Sequence, residues 1–107
     1  MSKTAVRLAD GIREAKSEHV VFFLLTSYLD LLAAVGKSMW VPRSVTHLPI
    51  AGDSDVENRA GLLRRLLSAD FPPLGQAVLN EAVELFVTAS ERLLLLRDPR
   101  FRQELSA

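Results

Sequence analysis

The sequence predicts an all-α fold: a small antiparallel bundle of three long helices with short helices at both ends, assembled as a dimer. Three observations point there. Apolar residues recur near the 3.6-residue period over long stretches. The breaks between those stretches fall on residues that stop or start helices, at Gly36, at Ser54 and at Asp70-Phe71-Pro72-Pro73. Two of the three apolar faces are also wider than a lone three-helix bundle can cover. A chain of 107 residues is a single domain, 1–107, with room for one core and little surplus.

Residues 1–16 read as a modest amphipathic helix, with Ala5, Leu8, Ile12 and Ala15 on one stripe and Gly11 weakening it by up to ~1 kcal/mol relative to alanine. Residues 20–35, VVFFLLTSYLDLLAAV, are the densest apolar run and the expected core helix on which the rest packs. At 100° per residue, Leu8 and Ile12 point the same way as His19, Thr26, Asp30 and Lys37, which form the polar strip of the second helix. One straight helix would show the core opposite faces in its two halves. Either the chain breaks near Ser17, a suitable N-cap, or the first segment packs on something else such as a second subunit; a break is the favoured expectation. Apart from that strip, the second helix is apolar over roughly 200° of its circumference, against the ~100° of a surface helix. Gly36-Lys37 supplies its stop.

Residues 38–53, SMWVPRSVTHLPIAGD, show no helical period and carry two prolines, yet are too apolar for a loose linker; a strap lying across the helices is expected. The second long helix, 54–69, opens on a Ser54-to-Glu57 capping box and presents Val56, Ala60, Leu63 and Leu67. Proline ends it at 70–73. The third, 73–97, repeats Leu74, Val78, Ala82, Leu85, Ala89, Leu93 and Leu96, and Asp98-Pro99 starts a short last helix able to dock Phe101 and Leu105.

Composition narrows the function. Thirteen basic residues balance thirteen acidic ones, so no global field gathers nucleic acid or an anionic surface. Arg92, Arg97, Arg100 and Arg102 are interleaved with Glu91, Asp98 and Glu104 and read as a solvated C-terminal face. The lack of cysteine removes disulfides, thiolate metal sites and cysteine nucleophiles. His19 and His47 have no metal-ligand spacing. The apolar run of about 16 residues falls short of the ~20 that span a bilayer and contains Asp30. Asp10, Glu14 and Glu18 precede it, unlike the basic start of a signal peptide. No nucleophile, phosphate-loop or diiron motif occurs. The expectation is therefore a cytoplasmic protein with no membrane span, no nucleic-acid partner, no metal, no cofactor and no catalytic residues.

Two places could still carry chemistry. Arg59 falls in the middle of an apolar face, where an unpaired charge costs several kcal/mol. Asp55, four residues earlier, offers a pair; the alternatives are an anion or carboxylate clamp and an inter-subunit salt bridge. In the strap, Trp40, Arg43 and His47 combine an aromatic plate, a fixed cation and a titratable ring. If the strap folds back, Asp53, Asp55 and Arg59 join them. The leading expectation is a non-enzymatic interaction or accessory protein acting as a helical homodimer, with a further protein partner open to it. The alternative is a small-ligand-binding protein or cofactor-independent enzyme with its site at Trp40, Arg43, His47, Asp55 and Arg59.

Overall fold

The computed structural model describes residues 2–67 and 73–106, with the backbone alone at Leu74. The described residues are helical and contain no strand: α1 (Lys3–Glu14), α2 (Glu18–Ala34), a 3-10 turn (Ser38–Trp40), α3 (Arg43–Thr46), α4 (Asp53–Leu67), α5 (Pro73–Arg97) and α6 (Pro99–Ser106). The strap thus contains a 3-10 turn and a single turn of α-helix. The helix stop expected at 70–72 lies outside the described residues, and Pro73 opens α5.

The phase conflict between the first two helices is resolved by a break. Ala15 and Ser17 are both extended, with ψ of 133° and 157°. The Ser17 hydroxyl oxygen accepts from the Val20 amide at 3.4 Å, restarting the helix. The break lets α1 bury Ala5, Ala9 and Ile12 while His19, Thr26, Asp30 and Lys37 all face out. Arg92 fastens it: Nε donates to the Ala15 carbonyl at 2.9 Å, and the guanidinium lies 4.7 Å from the Phe101 ring centre. Arg92 is therefore half-buried and ties α1, α5 and α6 together, where the sequence suggested a solvated position.

The other helix ends follow local chemistry. At the end of α2, Gly36 takes φ +72°, the Lys37 amide donates to the Leu32 carbonyl at 2.8 Å and the Gly36 amide to Ala33 at 3.2 Å, a complete Schellman closure. Helix α4 starts two residues earlier than a Ser54 cap implies. The Gly52 carbonyl accepts from Val56, and Asp55 rather than Glu57 reaches back, taking the Ala51 amide at 3.0 Å. At α6, Asp98 accepts from the Arg100 amide at 2.9 Å.

The centre of the molecule is α5, not α2. Helix α5 packs against α1, α2, α4, α6 and the 3-10 turn. It buries Val78, Leu79, Ala82, Leu85, Phe86, Ala89, Leu93 and Leu96, an arc of about a third of its circumference that runs the length of the helix. Asp53 at the start of α4 is ion-paired with Arg97 at the end of α5. Helix α2 buries a narrower stripe, Val21, Leu25, Tyr28, Leu29 and Leu32. Where α2 meets α5, the buried Tyr28 hydroxyl donates to Glu81 at 3.0 Å, and the other Glu81 oxygen accepts from the Ser2 amide at 3.1 Å. Burial and then the Glu81 charge push the Tyr28 phenol far above its ordinary value, so it remains the donor. Gly11 of α1 faces α2 so closely that an added Cβ would stand 3.1 Å from a Leu24 methyl. The residue that weakens α1 as a helix thus allows it to approach α2.

Candidate functional site

Arg59 is 5% exposed, and its five N–H groups are all used within the chain. Nε donates to Asp55 at 2.9 Å, and one terminal nitrogen meets the second Asp55 oxygen at 2.8 Å. The same nitrogen donates to the Pro49 carbonyl at 2.9 Å, and the other donates to the carbonyls of Val45 at 2.7 Å and Leu48 at 3.1 Å. The pair with Asp55 forms as its spacing implies, and three strap carbonyls complete the shell. Partial burial raises the Asp55 carboxyl, but the Ala51 amide and the Arg59 guanidinium outweigh that and hold it below its ordinary value. A planar, permanently charged fork suits this position because it reaches a carboxylate and several carbonyls at once. The result is a rigid strap: 45–51 is stapled to α4 at four backbone groups, with Val41 and Val45 buried as apolar anchors.

The other sequence candidates separate. Trp40 is half-buried against the core at the end of the 3-10 turn. Arg43 is exposed on the first turn of α3. His47 is exposed just after α3, its Nδ1 2.6 Å from the Thr46 hydroxyl. Asp55 and Arg59 are joined through their side chains, and Arg43 and His47 only through the backbone, the His47 amide donating to the Arg43 carbonyl at 2.9 Å.

The strap forms the rim of two open grooves. One, of about 500 Å³, runs over Leu48, Pro49, Ala51, Asp55 and Asn58 beside the Arg59 staple. The other, of about 380 Å³, lies between rim residues 46–50 and the α2 residues Thr26, Leu29 and Asp30. Here His47 is joined by groups that the sequence placed on a solvated strip. Helical phase puts Thr26 and Asp30 on one strip, but only the fold-back of the strap places His47 across from it. Among the described residues no group of three or more His, Asp or Glu side chains could hold a metal ion.

A different surface lies on the outward side of α2. Val20, Phe23, Ser27, Leu31 and Ala34 share one strip, with Phe23 70% exposed, Val20 and Ala34 exposed, and Ser27 and Leu31 half-buried. Val35 and Met39 extend the apolar surface past the helix end, Met39 being 77% exposed. The spacing is symmetric: Phe23 and Leu31 stand four residues either side of Ser27, and Val20 and Ala34 seven. The Ser27 hydroxyl donates to the Phe23 carbonyl at 2.9 Å, so its proton is already placed.

No described helix is long and apolar enough to cross a membrane. No protein-family model, curated protein or solved structure matches the chain.

Proposed function

We propose that the protein is a non-enzymatic accessory protein of the cytoplasm that acts as a homodimer of antiparallel helical bundles, joined through the outer strip of α2. The symmetry of that strip about Ser27 carries the reading. A two-fold axis at Ser27 running across an antiparallel α2 pair sets Phe23 against Leu31 of the second copy and Val20 against Ala34. A small residue at the crossing point allows close approach. Such an interface is self-complementary, as two-fold association requires. The Asp53–Arg97 pair, which joins the start of α4 to the end of α5, supports the antiparallel arrangement within each bundle. A standard interface buries about 800 Å² per partner, so the strip needs its flanks, and Val35 and Met39 supply exposed apolar area there.

Light scattering after size exclusion at micromolar concentration gives a dimer mass for the native chain and a monomer mass for Leu31→Arg. Leu31 is the position to change because it lies on the outer strip and outside the apolar cluster of the core. Since the chain has no cysteine, Ser27→Cys introduces a single thiol on the proposed axis, and mild oxidation joins two copies. A native chain that stays monomeric, or a Ser27→Cys chain that does not cross-link, removes the proposal.

A further inference from the structure

We infer that the groove between α2 and the strap binds a small organic monocation, an amine carried on a short apolar body, with Asp30 as its counter-ion. The groove is a built feature. Arg59 on α4 holds the carbonyls of Leu48 and Pro49, which fixes the backbone of the rim and leaves those two oxygens already hydrogen-bonded. Its floor is Leu29, 7% exposed, and its rim includes Leu48, Pro49 and the half-buried Ile50. That surface accommodates a hydrocarbon body, and a volume of about 380 Å³ is at the small-molecule end of binding sites.

Charge selects the ligand class. Among the described residues, Asp30 is the only carboxylate of the lining, and no lysine or arginine lines the groove. Asp30 makes no ion pair among the described residues. A carboxylate at the edge of an apolar groove attracts a cation and repels an anion. Thr26, Thr46 and His47 supply the other polar side chains of the lining, with the His47 Nδ1 2.6 Å from the Thr46 hydroxyl. An ammonium has three donors and can use a carboxylate together with a hydroxyl oxygen such as that of Thr26. An inorganic cation finds no cage here, because the described residues offer no cluster of ligating groups. The inference goes beyond the dimer and does not need it.

The test uses three matched six-carbon probes, hexylamine, hexanol and hexanoate, titrated into the 107-residue chain and followed by backbone amide NMR. Hexylamine is expected to shift the amides of Thr26, Asp30 and 46–50, and to bind about tenfold more tightly than hexanol, an increment of about 1.4 kcal/mol. Hexanoate binds most weakly. Asp30→Asn, a substitution at an exposed helix position, removes the preference for the amine and leaves hexanol binding unchanged. Equal binding of amine and alcohol, shifts centred on another part of the molecule, or retention of the amine preference in Asp30→Asn each overturns the inference. Leu31→Arg serves as the control on assembly. It binds the uncharged hexanol as the native chain does, so failure of the dimer and failure of the groove are read separately.

Discussion

Helices α2 and α5 start from similar material and end in different situations. Each carries apolar residues over about half of its circumference or more, and each holds a phenylalanine in mid-helix. Phe86 of α5 is completely buried, whereas Phe23 of α2 is 70% exposed. Phe86 of α5 is enclosed because four other helices lie around α5, whose exposed leucines, Leu94 and Leu95, lie near its end; α2 has α1 and α5 on its inner side, the strap on one flank, and no described element over Phe23 on the outer strip. Width of an apolar face therefore does not identify the central helix. What distinguishes them is where connected segments can reach. Helix α5 is followed directly by α6 and preceded by α4, which packs along it, while α2 is separated from α4 by the strap.

The comparison can be broken most severely at the two phenylalanines. Phe86→Ala removes a fully buried ring and should cost about 3–5 kcal/mol in chemical denaturation. Phe23→Ala, measured in the Leu31→Arg background so that association does not contribute, should stay within about 0.5 kcal/mol. Equal losses would mean that α2 is enclosed as α5 is. Next in size is Arg59→Ala, which frees the flank cover of α2. It leaves Asp55 and three strap carbonyls without their donor and should cost about 3 kcal/mol, with new proteolytic cleavage between 43 and 51. Unchanged protease resistance would show that the apolar anchors alone hold the strap.

The same staple has a pH signature. The Asp55 carboxyl titrates lower in the folded chain than in the unfolded one, so the unfolded chain takes up the proton first as the pH falls. The contribution is complete above the unfolded value of about 4 and is lost as the pH falls through the folded value. Denaturation midpoints across that window should fall in the native chain and change less in Asp55→Asn. A smaller effect is expected at the junction of the two helices. Tyr28→Phe removes the donor to Glu81, which is half-buried and can recruit water, so a loss of about 1 kcal/mol is expected in denaturation. The smallest effects come from two helical glycines. Gly61 has open space where a Cβ would go, so Gly61→Ala should add up to ~1 kcal/mol by helix propensity. Gly11→Ala forfeits most of that gain by pressing on Leu24 of α2. A larger gain at Gly11 than at Gly61 would show that the α1–α2 contact is looser than 3.1 Å implies.

Much of this architecture can be read from particular residues. The break at Ser17 follows from two stripes whose phases disagree, the stop at Gly36 from a left-handed position that only glycine takes without penalty, and the Asp98-Pro99 restart from capping chemistry. Arg59 is visible as a charge in an apolar stripe with a partner four residues away. Its three carbonyl partners are not, because backbone oxygens carry no residue identity and their approach depends on how the strap folds. Arg92 left no signal either. It stands among charged neighbours, and the carbonyl it satisfies belongs to a residue 77 positions earlier.

Local periodicity, capping residues and composition are short-range properties, so the sequence by itself determined that the chain is helical, where most helices begin and end, and which faces are apolar. The tertiary structure decided which apolar helix lies at the centre, which candidate residues meet, and that Asp30 and His47 border one groove. Those outcomes depend on which segments become neighbours. That choice is made by competition among several faces of similar hydrophobicity, and no single stretch of sequence contains it.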